Sequence, residues 1–438
     1  MARTAARPRW RNWSGTAACA PASVHSPSSE DELAAIVKGA AAAGERVKAV
    51  GAGHSFTGAA LTDGRHLHLD DLRRVLSVDR DSGRVTVEAG ITLARLSDEL
   101  GEHGLALENL GDIAYQSVAG ATSTSTHGTG RDLGTLSTQL RGMRIVTGDG
   151  SVLECSADEE PDVFHAARVG VGALGVLSAV TLQCLPAFRL RAVEAPVRLD
   201  EVLEGLDELV DSHDHYEFFW VPHTGWALTK ANDRTDEPIA PRGSWTAFRD
   251  DILFANVAFG ALCRLGRRRP SLIPRLVRAI PSTGSVTYVD HAHKVFASPR
   301  YVRFAEMEYA IPRAAAADAV RAVQAWIKRS GALISFPVEV RFTAADDIPL
   351  SPATGRETCY IAVHVYRGMD YVPYFSAVES IMGELGGRPH WGKLHFQTAE
   401  TLAPRYPQWD AFQAVRRRLD PEGRFANDYT DRVLGPVA

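Results

Sequence analysis

The chain has 438 residues, of which 45% are hydrophobic and 23% charged, and its formal net charge is -5. That length exceeds what one hydrophobic core usually spans, so two domains are expected, and a small acidic excess argues against nucleic-acid binding as the main role. Five scattered cysteines without a CxxC pair argue against a disulfide framework or a zinc site and point to a reducing, cytoplasmic compartment. The arginines at positions 3, 7, 9 and 11 precede a mixed, small-residue stretch that makes a poor signal peptide. No apolar run approaches the ~18 residues of a membrane span.

In chain order, Ser28 to Gly44 reads as a helix, capped by Ser28 or Ser29, acidic in its first turn and ended by Gly44. Arg46 to Val50 follows as a short strand, and then comes the glycine-rich turn VGAGHSF. Val75 to Val87 reads as two strands joined at Asp81-Ser82-Gly83, and Thr92 to His103 as a helix with Leu93, Leu96 and Leu100 on one face. Gly111 to Gly134 and Ala167 to Leu182 are dense in small residues, which suits close backbone approach to a ligand. Beyond Pro186 come a helix (Leu199 to Ser212), an aromatic strand (Tyr216 to Val221) and a polar loop (Thr229 to Arg242). The basic run RLGRRRPSLIPRL, Arg264 to Leu276, reads as a solvated loop, with a membrane or partner contact as the other reading. A strand (Ala305 to Ala310), a helix (Ala314 to Arg329) and strands at Val338 to Phe342 and Cys359 to Tyr366 complete the pattern, and HWGK, His390 to Lys393, precedes a further candidate strand.

In VGAGHSF, Gly51 and Gly53 leave backbone N–H groups open to form an anion nest suited to a dinucleotide pyrophosphate. The pattern is not GxGxxG and no helix opens after it, so a Rossmann fold is not supported. His54 either bonds its own loop or attacks the activated methyl of a flavin. The run SVAGATSTSTHGTG, Ser117 to Gly130, offers hydroxyls and N–H groups with little bulk, and His127 within it is structural or touches the flavin. On the strand Pro337 to Thr343, Glu339 and Arg341 share a face; on the next, Tyr360, Ala362, His364 and Tyr366 do. Read alone, the Glu339–Arg341 face is that of an ordinary half-exposed strand turned to water; the other reading is a polyol site, the carboxylate accepting hydrogen bonds and the guanidinium donating a planar fork.

VGAGHSF, SVAGATSTSTHGTG, ARVGVGALGVLSAVTL, PVEVRF and RPHWGK occur in this order, and from about Asn12 to the C-terminus the chain resembles the aldonolactone oxidoreductases. This group holds L-gulonolactone oxidases and dehydrogenases and D-arabinono-1,4-lactone oxidases, within the vanillyl-alcohol oxidase fold family. The resemblance implies an α+β architecture. A two-subdomain FAD-binding domain (12–186) precedes a substrate or cap domain with a large antiparallel sheet (187–384), and a C-terminal segment (385–438) returns to the flavin. FAD attached covalently through His54 is implied. Family flavin contacts fall on Ala49, Val50, Gly51, Ala52, Gly53 and Ser55, on Ser117, Gly120, Ala121, Thr122, Ser123 and His127, and on Val176 and His390. Glu339, Arg341 and Lys393 match the family's substrate and active-site residues, and His364 faces the same pocket.

The implied reaction is oxidation of the C2 hydroxyl of an aldono-1,4-lactone to the 2-keto lactone, which tautomerises to an ascorbate-type enediol. Arg341 and Lys393 hold the hydroxyl, Glu339 or His364 takes its proton, and hydride passes to flavin N5. Gly111 stands where a small residue admits oxygen, so the acceptor is oxygen or a cytochrome c-like protein. Asp112 replaces the serine of alditol oxidases and Tyr366 their threonine, and both departures speak for a ring-shaped lactone over an open-chain alditol. The competing readings are an alditol oxidase and a flavin-binding module without turnover.

Overall fold

The computed structural model describes residues 8–243, 252, 256–279, 284–298 and 300–437. The helix Glu30–Ala43 starts at Ser29, whose hydroxyl accepts from Glu32 N at 3.2 Å, and stops at Gly44 in the left-handed region (φ 67°). It buries Leu33, Val37 and Ala40 on one face. It links two strands of a parallel sheet in which Arg65–His68 lies between Ser23–His25 and Val47–Val50. The glycine turn therefore leaves the carboxyl end of a parallel strand, the usual place for a ligand in α/β units.

A second, five-stranded antiparallel sheet runs Val152–Ser156, Leu140–Val146, Val176–Gln183, Arg84–Glu88, Val75–Asp79. The helix Leu93–Glu102 packs its Leu93, Leu96 and Leu100 inward. One core joins these elements to Phe412, Val415, Phe425 and Val433, so the last segment of the chain packs back on the first. Trp391, fully buried, donates from Nε1 to Leu350 O at 2.6 Å and fastens that return.

The largest sheet has eight strands in the order Val286–His291, Arg189–Arg198, Trp226–Thr235, His215–Trp220, Val338–Thr343, Thr358–Tyr366, Phe304–Pro312, Arg388–Pro389, each pair antiparallel. Period-two alternation divides its side chains. Phe218, Met307, Tyr309, Val338, Val340, Ile361 and Val363 join a core with the helices Ala316–Ser330 and Val372–Glu384. The intervening Glu217, Glu306, Glu308, Glu339, Arg341 and His364 point the other way.

Several elements differ from expectation. Thr229 to Arg242 is not all loop, because Trp226–Thr235 is a full strand. Its Ala227 and Ala231 enter the core while Lys230 faces a polar cavity, so a buried polar face hid the alternation. The basic run is helical: Phe259–Arg268, a short 3₁₀ turn and Ile273–Arg278, held by buried Cys263, Gly266, Ile273 and Val277 between the arginines. Leu199 to Ser212 splits into two helices at Gly205. No strand follows HWGK: Phe396 N donates to Glu379 Oε2 at 2.9 Å instead of joining a ladder. Among the described residues, no helix is long and apolar enough to cross a membrane.

Candidate active site

Gly53 adopts φ 67°, and a Cβ placed on Gly51 would lie 1.8 Å from Ser117 Oγ. A side chain at 51 is thus excluded, and the two glycine-rich segments meet there. Ser117 caps the helix Val118–Ser123 by accepting from Gly120 N at 3.2 Å. Ala121 and Thr122 turn their side chains into the core and leave backbone on the other side, while Ser123 O accepts from Val171 N at 3.0 Å. Ala49 is a strand residue packed against the first core, Val50 is buried at the strand's end, and Ala52 is exposed. Val176 is buried in the five-stranded sheet opposite Val146 and does not reach either cavity described below.

The HWGK loop lies against the glycine turn. Phe56 N donates to Gly392 O at 2.7 Å, and Asn12 Nδ2 donates to Ser55 O at 2.9 Å. His54 stacks near Trp13 at 5.7 Å and lines a cavity of about 240 Å³ with Ile113, Tyr115, Arg300 and Tyr301. Burial, helped by the Lys393 cation, lowers its imidazole to about 4, so the ring is neutral at neutral pH.

A larger cavity of about 620 Å³ takes in Gly111, Asp112, His127, Glu339, Arg341, His364, His390 and Lys393. Its sheet wall is a row of paired charges crossing six strands. Glu194 and Glu217 both stand in register with Lys230, at 4.0 and 3.9 Å from its Nζ. Arg341 Nε lies 2.5 Å from Glu217 and 2.8 Å from Glu339, and its NH2 binds Asp112, which also accepts from Arg300 at 2.7 Å. Glu306, in register with His364, lies 2.5 Å from Lys393 Nζ and 3.4 Å from His364 Nε2. Glu308 lies 3.1 Å from His127 Nε2, and His127 stacks on Tyr360 at 3.6 Å. His390 Nδ1 accepts from Gly392 N at 3.0 Å, and burial lowers its ring to about 3.

These surroundings sort the carboxylates. Burial would raise Asp112, but Arg341 and Arg300 outweigh it and hold the acid well below the usual range. Burial likewise opposes Glu306, yet Lys393 and His364 bring it to about 2. Lys393 loses charge stability to burial but regains more from Glu306 and Glu308, so it is raised and stays an ammonium. Glu339 differs: burial, reinforced by Asp112 and Glu217 against the pull of Arg341, lifts it to about 7. Arg341 Nε carries a single hydrogen, which goes to Glu217, so Glu339 has a cation nearby without its hydrogen bond. The triads Asp112–Glu217–Glu339 and His127–Glu308–His390 each hold ligand-type atoms within 4.8 Å of one another, but these carboxylates already pair with Arg341, Arg300 or His127.

Sequence reasoning missed Glu217, Lys230, Arg300, Glu306 and Glu308. The signal for two of them was present, since Glu306 and Glu308 recur at period two in an otherwise apolar strand. Tyr366 is not brought to the cavity; its ring lies under the Arg267 guanidinium at 5.5 Å beside a small aromatic cluster.

A glycine turn at the end of a parallel strand, a helix start capped beside it and a neutral histidine over a cavity fit a dinucleotide whose ring system reaches a charged pocket. Together with the large antiparallel sheet, they fit the class of FAD-binding oxidoreductases. The comparisons agree. An FAD binding domain model matches residues 21–156, and a D-arabinono-1,4-lactone oxidase model matches residues 180–433. The chain is 51% identical to L-gulono-1,4-lactone dehydrogenase of Mycobacterium tuberculosis over 98% of its length and 100% of the relative's. It is 37% identical to L-gulonolactone oxidase of Bos taurus (97% and 98% covered) and 31% identical to alditol oxidase of a Streptomyces species (97% and 98% covered). Among solved structures, a solvent-stable cholesterol oxidase superposes with a TM-score of 0.82 at 19% identity, covering 98% of each chain, a likeness of fold alone. The chain belongs to the aldonolactone oxidoreductase family and is an FAD-dependent oxidoreductase.

Proposed function

We propose that this protein oxidises the C2 hydroxyl of an aldono-1,4-lactone, L-gulono-1,4-lactone or a close relative, with FAD bonded covalently to His54. The observation that carries this reading is the convergence of Glu339, Arg341, His364 and Lys393 on one cavity, with Glu339 lifted to about 7. FAD, when bound, supplies the hydride acceptor. Arg341 and Lys393 hold the reacting hydroxyl and stabilise negative charge on its oxygen. Glu339, half-ionised near neutral pH, takes its proton, which matches a general base to its working pH. Glu306 positions Lys393 and His364 together. A neutral imidazole at His54 is the form that forms a covalent bond.

The Gly51–Gly53 turn and the Ser117–Ser123 helix start would hold the dinucleotide, and His127 and His390 would meet its ring end. In this reading residues 12–186 bind FAD, 187–384 form the cap and 385–438 return to the flavin; the shared core of the first and last segments supports that division. Gly111 lines the cavity and leaves room for oxygen, and a cytochrome c-like protein is the other acceptor considered. Four of the five cysteines are buried and all five are unpaired, which supports a cytoplasmic setting. Arg341→Ala is expected to abolish lactone turnover while the flavin stays attached; normal turnover would overturn the site assignment.

An alditol oxidase remains the second reading, favoured by one observation: Tyr366 does not narrow the cavity, so discrimination falls to Asp112 and its bonds to Arg300 and Arg341. A panel of xylitol, sorbitol, gulono- and galactono-lactones separates the two.

A further inference from the structure

The cavity has a second wall of opposite character. Phe259, Leu262 and Leu276, with Phe336 and Val286, line it, and the first three belong to the helices of the basic run. A lactone with polar groups around its ring has little to offer these side chains, which come from elements other than those that carry His127 and His390. These helices and the turn joining them expose Arg264, Arg267, Arg268, Arg269, Arg275 and Arg278 to solvent, and Leu265 is 41% exposed among them. An arginine-rich outer surface with an exposed leucine, over an inner apolar wall, is the pattern of a helix pair resting on an anionic bilayer.

We propose that this apolar compartment binds a quinone, taken up from an anionic bilayer on which the arginine helices rest, and that the quinone is a further electron acceptor of the enzyme beside those named above. The proposal rests on the lactone oxidation above. Aromatic and branched apolar side chains suit a planar apolar ring, and the compartment is continuous with the charged site where electrons are released. The step balances. The lactone CH–OH becomes a ketone, its carbon giving up two electrons and one proton, which bound FAD would relay. The hydroxyl proton taken by Glu339 supplies the second proton, and the quinone leaves as a quinol.

The test uses the FAD-loaded protein and 2-methyl-1,4-naphthoquinone (menadione). Equilibrium dialysis of the oxidised protein should show saturable menadione binding that is lost in Leu262→Trp/Leu276→Trp, which fills the compartment. With the flavin reduced anaerobically by dithionite, so that lactone activity is not required, stopped-flow re-oxidation by menadione and by ferricytochrome c is compared. The ratio of the two rates should fall about tenfold or more in the double variant; Leu276→Asn, which puts a polar group in the same wall, should lower it too and serves if the double variant does not fold. Unsaturable dialysis, or equal ratios in wild type and variant, overturns the quinone site. Failure of lactone to reduce a protein that still binds menadione overturns the lactone reading instead. Flotation with phosphatidylglycerol-containing vesicles, lost on pure phosphatidylcholine and in Arg264→Glu/Arg268→Glu/Arg275→Glu, supports the bilayer as source. No flotation, or flotation undiminished in the triple variant, overturns it.

Discussion

Glu217→Gln should move the acid limb of the pH–rate profile downward. In the wild type Glu339 sits at about 7, so a base at this position loses its ionised form, and activity falls, as pH drops through 7. Glu217 contributes to that elevation twice: it is a like charge, and it takes the one Nε hydrogen of Arg341. The facing oxygens of Glu217 and Glu339 lie within 4.8 Å of each other. At an effective dielectric of about 20, two unit charges about 4.8 Å apart repel by about 3.5 kcal/mol, or about 2.5 pKa units before relaxation. Allowing for relaxation, a shift of about 1.5 units takes Glu339 to about 5.5, and its ionised fraction at pH 6 from about 9% to about 76%. The ratio of kcat/KM at pH 6 to that at pH 8 should then rise roughly eightfold. Steady-state rates with L-gulono-1,4-lactone across pH 5 to 9, at about constant ionic strength because exposed charges are screened by salt, give that ratio. An acid limb that stays in place, or moves upward, refutes the electrostatic account of Glu339.

Glu339→Gln should cost about 10²–10⁴ in turnover. It should also raise the melting temperature at pH 8, with the gain shrinking toward pH 4.5. The sign follows from linkage: a carboxyl raised from 4.5 to about 7 holds its proton in the folded state while the unfolded chain loses it, so wild-type stability falls across that window. His54→Ala should release its flavin on acid precipitation, where the wild type keeps its colour, as absorbance of the supernatant would show. Gly111→Ala places a Cβ 3.0 Å from His127 O; it should lower stability by about 1–3 kcal/mol and slow re-oxidation by oxygen more than reduction by lactone, in thermal melts and stopped-flow traces. Tyr366→Thr should leave the preference for lactones over alditols unchanged in a substrate panel, because the ring lies outside the cavity.

What the sequence showed plainly was local. Ser29 and Gly44 mark both ends of the first helix, and Asp81-Ser82-Gly83 the hairpin, because caps and turns depend on near neighbours. Glu339 and Arg341 were legible as one strand face. Their partners were not, because Glu217 and Asp112 come from 124 and 229 residues away and meet Arg341 only once strand register is set. The strand Trp226–Thr235 escapes a reading by periodicity because that rule assumes polar side chains face water, whereas Lys230 faces a charged cavity. The basic helices escape it because only Gly260, Cys263, Gly266, Ile273 and Val277 mark their buried face among many exposed arginines.

The account turns on lactone electrons reaching a flavin held by this chain. Anaerobic titration of the purified holoprotein with L-gulono-1,4-lactone tests it most directly. Bleaching of the flavin absorption band is the result expected; a spectrum that lactone leaves unchanged while dithionite still bleaches it would contradict the proposed chemistry.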